Sequence, residues 1–406
     1  APPPGFVNIQ KVLSEFERTG READVPERAA ELVAVPSINP GGDERAAAEL
    51  IRTWCERFGF PAPRLVGSPE RPNLVTEVRF GPGGRNLALC GHLDTKPVGE
   101  GEWETDPLRA VVVGDELRGR GVADMKGALA AMVVAAAAAR RHLDQGAVTL
   151  VFCADEEYGA RHGARVFTEA DVAGIDAMVI GEPGGIHADW DRLHLGSRGI
   201  CNFDITVTTR QAHSGLKDEL GLVSATEVAA RIVVALADGF TPTHPRPGPV
   251  PTVNAGAVVS GGISYGVVPG QAVVSSECRL VAGMEQDTFM REVRQLVDTV
   301  LPDGAEAAVE LKDWIPATSV APSEPIVESA RRALYAVTGS VPPDDLFPAT
   351  TDATWFAALG LPVLPALGPG LLSHAHAPNE AVSIPALRQA ADIYQRLIVD
   401  FCGEPA

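Results

Sequence analysis

Leu150-Val151-Phe152-Cys153-Ala154-Asp155-Glu156-Glu157-Tyr158-Gly159 carries an apolar run straight into consecutive acids. A short uninterrupted apolar run reads as a strand buried on both faces. Adjacent carboxylates at its end repel one another, so the cluster is costly without a cation. Such carboxylates can also divide the labour, one as metal ligand and one as general base. A solvated acidic turn is the plainer alternative. Working outward, Gly127 to Ala139 is Ala-rich and uncharged. It falls short of the ~20 apolar residues that a membrane span needs and reads as a buried helix. Asn73 to Phe80, Asn86 to Cys90 and Met178-Val179-Ile180 read as further strands. Helices are expected around Val12-Leu13-Phe16, from Ala29 to Val35 and from Asp43 to Phe58, with a break at Val35 to Gly42. Strands alternating with helices indicate an α/β layer structure.

The texture changes near residue 196. Cys201 to Thr208 alternates, with Phe203, Ile205 and Val207 on one side. A helix follows at Val223 to Ala237, then a Pro-rich loop from Thr241 to Pro251. Strands at Thr252 to Val259 and Ala272 to Leu280, a helix at Asp287 to Val300 and a strand at Ala307 to Lys312 complete a compact α+β module. Helices at Glu324 to Thr338 and Ile384 to Phe401 restore the first texture. The expected organisation is one domain from residues 1–197 and 313–406, interrupted by an inserted domain at 198–312.

The 406 residues carry 34 Lys+Arg against 53 Asp+Glu, a net charge of −19. That balance argues against a nucleic-acid backbone or an anionic membrane surface as partner. The cysteines Cys55, Cys90, Cys153, Cys201, Cys278 and Cys402 form no CxxC pair, and Cys90 and Cys153 read as buried free thiols. Ala1-Pro-Pro-Pro-Gly-Phe has no basic stretch leading into an apolar one, so no signal peptide and a cytoplasmic location are expected.

Four more segments carry chemistry. Leu87 to Asp94 is an apolar strand ending in Gly91-His92-Leu93-Asp94. Ligands at strand ends of open α/β sheets project into the crevice where sites form. His suits Zn²⁺, and a carboxylate two residues on can take the other imidazole N–H. Capping explains an isolated His-x-Asp equally well. Gly119-Arg120-Gly121-Val122-Ala123-Asp124 places an acid before the apolar helix, where it could equally be the N-cap. Gly181-Glu182-Pro183 sets another acid at a strand end, and Ser373-His374-Ala375-His376-Ala377-Pro378-Asn379-Glu380 is a His-rich loop.

In combination these segments resemble the M20 family of metallopeptidases and deacylases, in particular its acetylornithine deacetylase and succinyl-diaminopimelate desuccinylase branch. Val35-Pro36-Ser37-Ile38-Asn39-Pro40, Gly91 to Thr95, Gly119 to Gly127, Asp155-Glu156-Glu157, Gly181-Glu182-Pro183 and His376 to Glu380 carry the resemblance. It implies a zinc-exopeptidase-like catalytic domain, a mixed central sheet flanked by helices, with an inserted ferredoxin-like lid and dimerisation domain. It implies two Zn²⁺ per subunit, with Co²⁺ or Mn²⁺ as replacements. His92 and Glu182 would bind one ion and Glu157 and His376 the other. Asp124 would bridge them, Asp94 would orient His92, and Glu156 would be the general base. In the lid, His213 of Gln211-Ala212-His213-Ser214-Gly215 would reach a neighbouring subunit's site and steady the oxyanion. Asn254 and Arg279 would hold a substrate carboxylate. Gly368 of Gly368-Pro369-Gly370 would lie near bound substrate. Read without the family, His213 is a surface-turn histidine and Arg279 an exposed strand-end charge.

The chain departs from the pattern at Gly266, where many relatives have Asn, at Ala128, in place of a second Gly, and at Glu277, where Asp is usual. No presumed ligand is lost. His142, His162, His187, His194 and His244 match no motif and are expected at the surface, while His374 lies closer to the site. The implied activity is removal of the acyl group from an N-acyl amino acid or related small carboxylate. A dipeptidase or carboxypeptidase would use the same metal core. Trp103-Glu104-Thr105-Asp106-Pro107 resembles the deacylase and peptidase branches rather than the ureide-hydrolysing one. A non-catalytic binding relative should have lost ligands or base, and all are present.

Overall fold

In the computed structural model, which describes residues 6–7 and 24–404, contacts divide the chain into two units. The first is Ala1–Gly196, Ser319–Phe347 and Thr351–Ala406; the second is Ser197–Thr318 with Pro348–Thr350. The helix expected around Val12 to Phe16 lies outside the described residues.

The first unit is built on a six-stranded mixed sheet. Its strands are β1 (Arg64–Ser68), β2 (Arg71–Gly81), β3 (Asn86–His92), β4 (Gly146–Cys153), β5 (Ala177–Ile180) and the short strand Val363–Leu364. β3 lies parallel to both β4 and β5, and Val363–Leu364 is parallel to β5. β2 and β1 continue the sheet antiparallel beyond β4. These three parallel strands, β3, β4 and β5, are buried at every position and mostly apolar, because both faces of the sheet are covered. Leu87, Leu89, Leu150 and Phe152 point to one face, with the helices α1 (Val25–Val33), α2 (Arg45–Arg57), α3 (Gly127–Ala139) and Ile384–Cys402. Ala88, Cys90, Val151 and Cys153 point to the other, against Phe167 and Phe356. This alternation is the period of two expected of pleated strands.

The stretch Val122–Ala139 is apolar enough by composition to cross a membrane, yet 83% of it is buried inside the protein. Its helix α3 is lined by alanines, which let it pack closely on α1 and on the terminal helix. All six cysteines are free and buried.

The second unit runs β6 (Gly199–Thr208), α4 (Ala225–Gly239), β7 (Thr252–Gly261), β8 (Gln271–Leu280), α5 (Gln286–Val300) and β9 (Glu306–Ile315). The antiparallel sheet order is β7-β8-β6-β9, the ferredoxin-like arrangement. Cys201, Phe203, Ile205 and Val207 of β6 pack with Val274 and Cys278 of β8 against Ile232 and Phe289 of the two helices. β9 extends to Ile315, beyond the expected Lys312, so the unit ends at Thr318 rather than near 312.

One expectation is corrected here. His194 is not at the surface: it is 0% exposed. Its Nε2 lies 2.8 Å from the Gly184 carbonyl, and its ring meets Phe347 edge-on. An isolated histidine gives no periodic signal of burial, and its strand, Leu193–Ser197, is buried on both faces without alternation. His142, His162 and His187 are exposed, and His244 is half-buried.

The fold predicts a contrast in stability. Phe152→Ala empties a fully buried site in the first core and should cost about 3–5 kcal/mol. Val258→Ala, at 61% exposure on β7, should change stability by about 0.5 kcal/mol or less. Urea unfolding of both variants measures the difference.

Candidate active site

Parallel strands deliver their ends to the same edge of a sheet. His92 terminates β3 and pairs in register with Cys153, the last residue of β4. Cys90 pairs with Ile180, the last residue of β5. The residues that follow, Asp94, Asp155-Glu156-Glu157 and Glu182, therefore converge. Asp124 arrives from the turn before α3. Lys126 occupies the cap position of that helix, so Asp124 is not its N-cap. His376 comes from the loop ahead of the terminal helix.

The distances make one cluster. His92 Nε2 is 2.9 Å from Asp124 Oδ1 and 3.4 Å from Glu182 Oε1. His376 Nε2 is 3.1 Å from Asp124 Oδ2 and 3.0 Å from Glu157 Oε2. Asp124 thus offers one carboxylate oxygen to each histidine. Glu156 Oε2 stands 4.0 Å from His92 Nε2. The ligand atoms of His92, Asp124 and Glu157 lie within 4.8 Å of one another, as do those of His92, Glu156 and Glu182. Asp124, Glu157, Glu182 and His92 are buried; Glu156 is partly buried and His376 is open at the rim. The acidic strand end is therefore no solvated turn.

Asp94 does two jobs. Its main-chain carbonyl is 2.9 Å from His92 Nδ1, and its carboxylate is 3.5 Å away. Either contact holds Nδ1 and leaves Nε2 facing the cluster. The Asp94 carboxylate also accepts from the backbone N–H of Glu156 and Glu157, each at 3.1 Å. Asp155, the residue before them, sits in the left-handed region at φ 61°. Asn39 Nδ2 donates to Asp94 and to Asp155, both at 2.9 Å. Arg71 donates to Asp155 at 3.1 Å and doubly to the fully buried Glu44 at 2.6 Å. A non-glycine residue at positive φ is held there only when its surroundings over-determine it.

The electrostatics favour added positive charge. Burial raises Glu156 well above the usual carboxylate range, and Glu182 and Glu157 repel it further. Burial and the Asp124 charge push Glu182 up to about 8. His92 is opposed by burial, yet Asp124, Asp94 and Glu182 hold its imidazolium well above the ordinary value. Asp124 and Glu157 raise His376 to about 10. Without a cation, the cluster is neutralised only by taking up protons. An imidazole-and-carboxylate set whose protons stand between opposing ligand atoms fits divalent ions of the Zn²⁺ kind.

Several neighbours had no role assigned to them from the sequence. Lys96 places its main-chain N–H and its Nζ against Glu157, at 3.2 Å to Oε1 and 3.3 Å to Oε2. Asp352 is fully buried, and burial raises it to about 7. Lys126 is also buried, and its Nζ donates to the Leu32 and Val35 carbonyls at 3.0 and 2.8 Å. Lys96 and Asp352 lie outside the ligand motifs, and Lys126 lies within the Gly119–Gly127 segment with nothing in the sequence to mark it as buried.

Gly368 is buried where the chain runs beside Pro183. A Cβ there would stand 2.0 Å from the Gly181 carbonyl oxygen and 2.7 Å from that of Glu182. Close approach to the backbone of a candidate ligand accounts for this glycine. His374 Nδ1 lies 3.2 Å from the Ala381 carbonyl. The other expected site residues belong to the second unit. His213 is exposed, and its Nδ1 accepts from Gly215 N–H at 3.1 Å. Arg279 sits opposite Thr252, and Asn254 opposite Glu277, on neighbouring strands. Arg279 Nε contacts Glu277 at 2.8 Å.

Residues 88–400 match the model of peptidase family M20/M25/M40. Succinyl-diaminopimelate desuccinylase from Parvibaculum lavamentivorans is 30% identical over 387 residues, which cover 91% of this chain and 93% of the relative. The M20 family metallo-carboxypeptidase Sso-CP2 from Sulfolobus solfataricus superimposes with a TM-score of 0.76 at 19% identity, covering 93% of this chain and 99% of that one. Bacillus subtilis YXEP, described as a dinuclear metal-binding peptidase from the M20 family, has a TM-score of 0.69 at 17% identity, with 92% and 96% covered. With the family model spanning most of the chain, and with carboxylates and histidines gathered at the sheet edge, this protein belongs to peptidase family M20/M25/M40 and is a hydrolase of amide bonds.

Proposed function

We propose that the protein is a two-zinc amidohydrolase that removes the acyl group from an N-acyl amino acid or a related small carboxylate. The observation that carries this reading is the division of Asp124, one oxygen toward His92 and one toward His376. In it, His92 and Glu182 would hold one ion and Glu157 and His376 the other, with Asp124 offering an oxygen to each. Bound metal would supply a water of lowered pKa and polarise the acyl carbonyl. The similarity to a desuccinylase along nearly the whole chain supports an acyl rather than a peptidyl substrate.

The chain's own groups do the rest. Glu156 accepts the attacking water's proton and returns it to the leaving amine. Its backbone N–H on Asp94 holds the start of that side chain in place. The second unit acts as lid and dimerisation domain. His213 steadies the oxyanion of a neighbouring subunit's site. Arg279 and Asn254 hold the substrate carboxylate, with Glu277 competing for the guanidinium until substrate arrives. β7 is an edge strand that exposes Val258 and Val259, near the exposed Ile263 and Tyr265 in sequence, and a second copy of the chain would cover it. A cytoplasmic setting belongs to the same reading, and the free thiols suit a reducing compartment.

Amine release from N-succinyl, N-acetyl, N-formyl and dipeptide substrates, with zinc or cobalt and a chelator control, tests the reaction. Chelator-sensitive release from an acyl class is expected; release from dipeptides alone would replace the deacylase with a peptidase. Glu156→Gln should keep both metals and lower kcat by about 10²–10⁴. Undiminished turnover removes Glu156 as the base.

Metal uptake should also release protons. Metal-free His376 and Glu182 hold theirs up to about 10 and about 8. Ions must displace those protons, so apparent affinity should rise with pH through this range. Calorimetric titration of zinc into the metal-free protein, in buffers of different ionisation enthalpy, measures the release. Heats independent of buffer would contradict it.

A further inference from the structure

The turn between Gly119 and Asp124 folds around one side chain from a distant part of the chain. Glu380 is 1% exposed. Its Oε1 accepts from the backbone N–H of Ala123 at 3.0 Å and of Asp124 at 3.1 Å. Its Oε2 accepts from Gly121 N–H at 3.0 Å and from Arg120 Nη1 at 2.8 Å. Every one of these partners donates, so the carboxylate acts as a pure acceptor in a nest of amides. The Glu380 main chain joins in, its carbonyl accepting from Gly119 N–H at 3.0 Å.

Arg120 closes the arrangement from the other side. It is 2% exposed, and its guanidinium lies over the Trp103 ring. Its Nη2 donates to the His376 carbonyl at 3.3 Å and to the Val98 carbonyl at 3.2 Å. His376 is itself left-handed, at φ 63°. The same ion pair thus grips the main chain at Asp124 and the main chain at His376.

We propose that Glu380 and Arg120 are positioning residues, a buried brace that sets the spacing of Asp124 and His376 and so the separation of the two metal ions. The inference rests on the two-metal reading above. A buried ion pair adds little net stability over an apolar replacement of the same shape. What it does supply is direction. The donors to Glu380, Arg120, Gly121, Ala123 and Asp124, all lie in the segment that presents Asp124, and Glu380 follows His376 by four positions. A shift of either ligand breaks hydrogen bonds to a group that has no water to turn to.

The test compares wild type, Glu380→Gln and Arg120→Lys. Glutamine keeps an acceptor oxygen but turns an NH₂ toward the donor amides. Lysine keeps the charge and loses the fork. Metal affinity is measured by calorimetry with Co²⁺, the ligand field by the visible Co²⁺ spectrum, and folding by melting of the metal-free protein. Glu380→Gln should bind Co²⁺ about 10–100-fold more weakly, with a changed spectrum and a lowered kcat at nearly unchanged KM. Arg120→Lys should move the same readouts in the same direction. Wild-type affinity and spectrum in Glu380→Gln, whether or not its melting temperature falls, would overturn the brace and leave the two-metal reading standing. If Glu380→Gln does not fold, Arg120→Lys decides by the same readouts. Failure of the wild type itself to bind two ions would overturn both readings.

Discussion

Like charges crowded at the end of a buried sheet are what the rest of the first unit is arranged around. Asp94, Glu156, Glu157 and Glu182 meet because the strands they follow run parallel and end at one level, and Asp124 joins them from the turn before α3. Carboxylates held this close and this dry cannot all ionise without compensation. The imidazoles of His92 and His376 compensate in part by holding protons well above their ordinary range. Divalent ions in place of those protons would relieve the same repulsion and leave a solvent-accessible rim at His376 for a substrate.

Donors supplied from behind keep this cluster in one geometry. Backbone N–H groups of Glu156 and Glu157 point at Asp94. Asn39 joins Asp94 to Asp155, and Arg71 joins Asp155 to Glu44. The Arg120–Glu380 pair does the same for Asp124 and His376. Strain at Asp155 and His376 is therefore sustained by hydrogen bonds to buried charges, and it places Glu156, Glu157 and the His376 imidazole where a relaxed turn would not. Most polar atoms of these supports are hydrogen-bonded, Arg120 Nε excepted, and such fixed donors are what electrostatic preorganisation requires.

Periodic patterns were legible in the chain. The apolar runs at Leu87–Cys90 and Leu150–Cys153, the Ala-rich α3 and the alternation from Cys201 to Val207 each have one structural reading, and the structure agrees with it. Positions without periodicity were not legible. His194 looked like a surface histidine and is enclosed. Lys126 and Asp352 stand in the core, where side-chain type alone argues against them. Glu380 was visible as part of a motif, but its partners lie some 260 residues away in the chain and no local spacing announces them.

Sequence by itself determined the kinds of element, the existence of an inserted α+β module, and the residue types from which a metal centre could be drawn. Local forces settle these: side-chain period, helix and strand length, turn chemistry and the cost of adjacent acids. Tertiary structure alone decided which oxygen of Asp124 faces which histidine, which residues stand behind the ligands, and that Gly368 is a glycine because the Gly181–Glu182 backbone passes against it. Those are contacts between segments far apart in the chain. They depend on the parallel register of the sheet, and a linear pattern carries no information about register until the strands have paired.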